Sequence, residues 1–250
     1  MGLTRGAALV TGAARRIGRA LAIAAAQAGY DVVVHHRDSA DAAGETARTI
    51  RASGVRAAVF SADLSDDPAR LIEQARDALG PVTLLVNNAS VFQDDRIETL
   101  TRQSWAAHME ANLHAPVALT QAFAAALPAD AEGLVVNILD QRVWRPNPQF
   151  FSYSLSKAGL WWATRTMAQA LAPRIRVNAI GPGPTLPSIH QRPEDFEAEA
   201  ANIPLQRRTT PEQIGAALRY LIDASSVTGQ MIAVDGGQHL AWKTPDIQDQ

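Results

Sequence analysis

Tyr153 and Lys157 stand four residues apart in Tyr153-Ser154-Leu155-Ser156-Lys157. On a helix that spacing puts both side chains on one face, one turn apart. A phenol beside an ammonium makes a proton donor that works near neutral pH, because a nearby cation favours the phenolate and lowers a pKa that is ordinarily about 10. A surface helix can also carry Tyr and Lys at this spacing with no chemical consequence. The surroundings of the pair decide between the two readings.

Those surroundings are alternating strand and helix patterns. Short apolar runs at 7–10, 31–35, 55–60, 82–86, 134–139, 175–180 and 231–234 read as strands. The three consecutive valines in 31–35 suit a strand buried on both faces. Helical patterns fill 17–28, 39–52, 68–79, 152–171 and 211–222, with Gly29 and Gly80 as stops and Pro68 in a first turn. A longer helical stretch, 101–127, contains Pro116 and is expected to kink there. Gly181-Pro182-Gly183-Pro184 interrupts regular structure. Residues 186–208 are mixed and charged and read as a mobile lid over a site. Repeated βα units imply right-handed crossovers and a parallel sheet covered on both faces. The expectation is one doubly wound, Rossmann-type α/β domain of about seven strands spanning 1–250, with a core of about 5–240 and a tail at 241–250.

In such a fold ligands bind at the carboxyl ends of the strands. Thr11-Gly12-Ala13-Ala14-Arg15-Arg16-Ile17-Gly18 follows the first strand and opens the first helix. A tight glycine turn there aims backbone N–H groups and the positive end of the helix dipole at a pyrophosphate. The second strand ends in His35-His36-Arg37-Asp38-Ser39. A free ribose 2′-OH is usually held by an acid at this place, and positions 35–37 offer none. Arg37 offers a guanidinium suited to a phosphate, which favours NADPH over NADH, although Asp38 can pair with it. The two histidines read as surface residues, since no further ligand stands at metal spacing nearby.

Five motifs occur in order: TGxxxxIG at the start, Asn87-Asn88-Ala89 after the fourth strand, Asn112 in the long helix, YxxxK, and the Pro182-Gly183 turn. Together they resemble the short-chain dehydrogenase/reductase family over about residues 5–240. The resemblance implies an NAD(P)(H)-dependent oxidoreductase, commonly a homotetramer. It implies that Tyr153 is the acid/base, that Lys157 holds the nicotinamide ribose, and that Asn112 supports a proton-relay water. It places Asn88 and Ala89 along the adenosine ribose and Asp63, with Leu64, at the adenine. By the same resemblance Gly12, Arg15, Arg16, Ile17, Gly18, His36, Arg37, Ser39, Ser90, Pro182 and Gly183 belong to the cofactor site.

Two departures narrow the resemblance. The family usually has Ser thirteen residues before the tyrosine, and here that residue is Asp140. It usually has Gly in the middle of the first turn, and here that residue is Arg16. Both departures are shared with the pteridine and dihydromonapterin reductases, which also resemble this chain in Asn87 to Ser90 and in an aromatic at Phe92. A carboxyl beside the phenol suits a substrate with ring nitrogens, because it exchanges protons with C=N or binds an amino-pyrimidine edge. Arg16, Ser90, Phe92, Asp140 and Tyr153 are then the expected substrate contacts. Phe92 divides evenly between stacking on a flat heterocycle and core packing. Gln141 to Pro146 adds bulk and charge that do not map onto a pterin, and Trp161 and Trp162 read as core or subunit packing.

Composition sets the outer bounds. The chain has 250 residues, 47% hydrophobic and 19% charged, as expected of an ordinary soluble globular protein with a full core. A net charge of −2 gives no electrostatic case for nucleic acid or an anionic membrane. With no cysteine, disulfides, thiolate metal sites and a Cys nucleophile are excluded, and no metal is expected. The short polar N-terminus predicts no signal peptide, and no run approaches the roughly 20 apolar residues of a membrane helix, so the expected location is cytoplasmic. The expected activity is NADPH-dependent reduction of a pterin. Alternatives are a carbonyl reductase acting on a 3-oxoacyl thioester or another ketone, and a non-catalytic NADPH sensor, against which the intact Tyr, Lys and Asn argue.

Overall fold

The computed structural model describes residues 5–187 and 192–242. Four residues of the expected lid (188–191) and nearly all of the expected tail (243–250) lie outside the described residues.

Seven parallel strands form one sheet: β1 (Ala7–Val10), β2 (Asp31–His36), β3 (Ala57–Ser61), β4 (Val82–Asn87), β5 (Gly133–Ile138), β6 (Ile175–Pro182) and β7 (Met231–Val234), in the order β3-β2-β1-β4-β5-β6-β7. β1 pairs with both β2 and β4, so the chain reverses its direction of winding there. That switch point opens the crevice where ligands bind in such sheets.

The helices follow from apolar faces that must cover the sheet. α1 (Arg16–Gln27), α2 (Ala40–Ala52) and α8 (Pro211–Asp223) put Leu21, Ile50, Ile214 and Leu218 against Ala8, Val10, Val32 and Val34. α3 (Pro68–Leu79) and α5 (Ala115–Ala126) put Leu71, Ile72, Leu119 and Phe123 against Leu9, Val33 and Leu85 on the other face. Successive strand residues thus feed opposite cores, as the period of two requires, and this is why Val32 to Val34 is an unbroken apolar run.

The stretch 101–127 is helical from Arg102 to Ala126, and the irregularity expected at Pro116 appears as a π-helical turn, Glu110–His114, just before it, between α4 (Arg102–Met109) and α5. Two expectations are corrected. β6 continues through Gly181 and Pro182, because β7 supplies its ladder partners there: Gly181 stands opposite Ala233 and Pro182 opposite Val234. The charged stretch after it contains a helix, α7 (Pro193–Ala201), which buries Phe196, with Ile203 buried just beyond it. Trp162 on α6 (Phe151–Leu171) is 66% exposed, whereas Trp161 packs edge-on to Trp144 at 6.3 Å.

Candidate active site

The carboxyl ends of the strands around the switch point border a cavity of about 720 Å³. Tyr153 and Lys157 enter it from the first two turns of α6, on the one face their spacing requires. Both are almost fully buried. Tyr153 Oη donates to Asp140 Oδ2 at 3.0 Å. Asp140 lies just after β5, and its Oδ1 accepts the backbone N–H of Arg142 at 2.9 Å. The carboxylate is therefore held at both oxygens. Lys157 Nζ donates to the Ile138 carbonyl at 2.8 Å and stands 5.7 Å from the centre of the Tyr153 ring.

The electrostatics differ from a phenol lowered by lysine. Burial first, and the Asp140 carboxylate second, hold Tyr153 well above the ordinary phenol value, with Arg142 pulling the other way. Burial lowers Lys157 to about 8, against the attraction of Asp140. Connectivity adds to burial: the lysine gives its hydrogen bond to Ile138, and a carboxylate faces the phenol where Ser would offer a neutral hydroxyl. The arrangement keeps Tyr153 protonated, as a donor.

Phe92 lies edge-on to Tyr153 at 4.7 Å and stacked on Phe150 at 4.2 Å, half-buried on the cavity wall. The Arg142 guanidinium caps this pair, 4.9 Å from Phe150 and 5.7 Å from Phe92. Its Nη1 is 3.8 Å from Asp140 Oδ2, and its Nε–H is buried without a partner among the described residues. Arg142 and Phe150 were not among the expected site residues. No local pattern marks them, because the loop after β5 must fold back before they meet Phe92. Phe150 holds φ 54°, in the left-handed region, immediately before α6.

Arg16 also has a left-handed φ, 55°, in the place where the resemblance expects Gly. For a non-Gly residue this conformation costs about 1–2 kcal/mol. It sends the guanidinium to the carbonyls of Leu186 and Pro187 at 3.2 and 3.0 Å, so the first turn is tied to the segment after β6. Pro182 and Gly183 border the same cavity. A Cβ at Gly183 would lie 2.6 Å from Asp235 Cα, so only glycine fits there.

A second cavity of about 750 Å³ adjoins the first through Arg16, Ile17, Asn88, Ser90 and Phe92. Gly12, Arg15, Gly18, His36, Arg37, Ser39, Asp63, Leu64 and Ala89 complete the expected cofactor set around it. The turn is drawn tight enough for a pyrophosphate to meet backbone. A Cβ on Gly18 would fall 2.1 Å from the Gly12 carbonyl oxygen, and Gly12 has φ 62°. Thr11 Oγ1 accepts the N–H groups of Asn88 and Ala89, both at 2.9 Å, and Asn88 Nδ2 returns bonds to the Thr11 and Gly12 carbonyls. Asp63 Oδ1 is engaged by Ser65, and Arg37 pairs with Asp38 at 2.8 Å on the exposed rim. The residues present fit a dinucleotide whose ribose meets no unpaired acid.

One placement corrects the sequence reading. His35 and His36 are both buried, because β2 lies between β1 and β3 and its end is covered by the loops after both. Asn112 sits in the π-helical turn behind the cavity. Its Oδ1 accepts from Ser90 Oγ and Val91 N, and its Nδ2 donates to the Val91 carbonyl and Ser156 Oγ. All four hydrogen-bonding positions of the side-chain amide are spent on the chain, so this side chain braces segment 90–91 against α6. No group of three or more potential metal ligands occurs among the described residues.

Comparison with known proteins places this geometry. A family model described as enoyl-(acyl carrier protein) reductase matches residues 12–239. The 3-oxoacyl-[acyl-carrier-protein] reductase of Synechocystis sp. is 34% identical over 243 residues, 94% of this chain and 97% of the relative. The chain belongs to the short-chain dehydrogenase/reductase family. Among solved structures, FolM alternative dihydrofolate reductase 1 from Brucella canis, complexed with NADP, is 55% identical with a TM-score of 0.94, covering 97% of each chain. Its counterpart from Brucella suis, also in complex with NADP, is 54% identical with a TM-score of 0.95, covering 98% of this chain and 100% of that one. No helix among the described residues is long and apolar enough to cross a membrane.

Proposed function

We propose that this short-chain dehydrogenase/reductase uses NADPH to reduce the C=N bond of a 7,8-dihydropterin, dihydrofolate included, to the tetrahydro form. The observation that carries the reading is the Asp140 carboxylate hydrogen-bonded to the Tyr153 phenol in a cavity walled by Phe92. The identity of more than half to the two NADP-bound Brucella proteins supports both the cofactor and the substrate class.

Bound NADPH supplies the hydride. Tyr153, kept protonated by burial and by Asp140, gives its proton to the ring nitrogen as the adjacent carbon is reduced. The buried Lys157 cation then faces the phenolate and disperses its charge. Asp140 accepts N–H donors of an amino-pyrimidine edge, a role a Ser hydroxyl fills less well. Phe92 offers a ring face to a flat heterocycle, and Arg142 lines the same wall. Arg15, Arg16 and Arg37 line the second cavity and would hold the phosphates of the cofactor.

A second reading is favoured by the curated relatives, among them a 3-oxoacyl thioester reductase. One experiment separates the two: NADPH oxidation by the purified protein with 7,8-dihydropterins, in parallel with a 3-oxoacyl thioester and simple diketones. Turnover on dihydropterins with none on ketones is expected. Turnover on ketones alone would reject the pterin reading. The protein is proposed to act in the cytoplasm as a homotetramer, and light scattering that gives a monomer at micromolar concentration would reject that assembly.

A further inference from the structure

We infer that His35 is the positioning residue of the nucleotide-binding turn, acting as a neutral imidazole with its proton on Nε2. The inference rests on the proposed NADP(H) cofactor and not on the identity of the substrate.

His35 is the penultimate residue of β2 and is 2% exposed. Its Nδ1 lies 3.1 Å from the backbone nitrogen of Gly12, and its Nε2 lies 3.0 Å from the carbonyl oxygen of Ala62. An amide N–H only donates and a carbonyl oxygen only accepts, so the two contacts admit one state: a lone pair on Nδ1 and a hydrogen on Nε2. The main chain reinforces the link. Ala13 N donates to the His35 carbonyl at 2.8 Å, and Ala62 N donates to the His36 carbonyl at 3.1 Å. One side chain thus ties together the ends of β1, β2 and β3. It spans from the turn that meets the pyrophosphate to the Ala62-Asp63 corner of the nucleotide cavity. Asn88 holds the other side of the same turn. Of the two clamps, only the His35 one changes with protonation.

A proton added at Nδ1 would point an N–H at the Gly12 N–H. Two donors cannot share a bond, and a buried donor that loses its partner is costly. The groups acting on the imidazole are consistent with this state. Burial lowers its proton affinity most, the Ala62 carbonyl opposes that, His36 on the same strand lowers it further, and Asp63 beyond β3 raises it. The other charged groups at these strand ends are Arg15 and Arg16 on the turn and the Arg37–Asp38 pair after β2, all exposed. Neutral His35 therefore holds the turn at and above neutral pH, and the clamp opens as pH falls below the ordinary imidazole range near 6.5.

The test is nucleotide affinity from about pH 8 to about pH 5 for the full-length wild type, His35→Asn and His35→Leu. NADH is used beside NADPH, because NADH lacks the 2′-phosphate that itself titrates near pH 6. Asn retains an acceptor near the Nδ1 position and does not titrate; Leu offers no acceptor. Wild-type affinity for NADH is expected to fall on acidification. His35→Asn should bind within about threefold of wild type at neutral pH with a flat profile, and His35→Leu should bind about tenfold or more weakly than wild type at neutral pH, with the gap closing as the wild type loses affinity on acidification. Nitrogen-15 NMR of labelled wild-type histidine reads the tautomer directly and needs no variant to fold. A proton on Nδ1, an acid loss preserved in His35→Asn, or wild-type affinity in His35→Leu would each overturn the inference. Failure of the wild type to bind either nucleotide would instead reject the cofactor reading and this inference with it.

Discussion

Replacing Tyr153 by Phe removes one oxygen and leaves the ring against Phe92 in place. What is lost is the donor that faces Asp140 Oδ2 at 3.0 Å. A positioned general acid contributes about 10²–10⁴ in rate, equivalent to roughly 3–5 kcal/mol of barrier. The fold loses much less. Asp140 keeps the Arg142 N–H at 2.9 Å on Oδ1 and the Arg142 guanidinium at 3.8 Å from Oδ2, so its charge is not stranded. One hydrogen bond to a charged acceptor is worth about 1.5–3 kcal/mol. For a chain of this size that is a fall in Tm of roughly 3–12 °C. The assay is steady-state NADPH oxidation with the dihydropterin that the wild type turns over, beside a direct NADPH titration. The expected result is a hundredfold or greater loss of kcat, with the dissociation constant for NADPH within about threefold of wild type. If Tyr153→Phe kept kcat within about threefold, the phenol would not be the proton donor and the role given to Asp140 would fail with it.

Lys157→Met should abolish turnover yet raise Tm. Holding the buried ammonium at about 8 instead of 10.5 corresponds to about 3 kcal/mol against the folded state, partly offset by about 1 kcal/mol for the bond to Ile138. The unfolded chain binds this proton more tightly, so wild-type stability should rise as pH climbs from about 8 to about 10.5, and a thermal scan of Lys157→Met showing a lower Tm would refute the sign. Asp140→Ser should cut dihydropterin turnover by at least tenfold while leaving NADPH affinity unchanged, and undiminished turnover would reduce Asp140 to local variation. Arg37→Ala should bring the NADPH and NADH dissociation constants together, since it removes the guanidinium at the nucleotide rim; an unchanged ratio, read by fluorescence titration, would move the 2′-phosphate contact elsewhere.

Much of the architecture was legible without coordinates. Period and punctuation are local properties: valines in unbroken runs, glycines after helices, prolines in first turns. They placed all seven strands within a few residues, because a strand buried on both faces has no polar alternative. The spacing of Tyr153 and Lys157, and the location of the glycine turn between β1 and α1, are likewise properties of one short segment each. What remained undecided depended on contacts between segments far apart in the chain. Phe92 was balanced between core and stacking until β4, the loop after β5 and α6 put it beside Phe150, Arg142 and Tyr153. The charge environment of Tyr153 followed from its burial and from the Asp140 carboxylate that the end of β5 brings against it. His35 read as a surface residue because its partners, Gly12 and Ala62, are 23 and 27 residues away in opposite directions, and only the pairing of β2 with both β1 and β3 brings them to its two nitrogens. Sequence alone determined which elements form and which residue types stand at the strand ends. Tertiary structure decided which of those residues are buried and which hydrogen bonds they make, because burial and hydrogen bonding are set by neighbours that no local window contains.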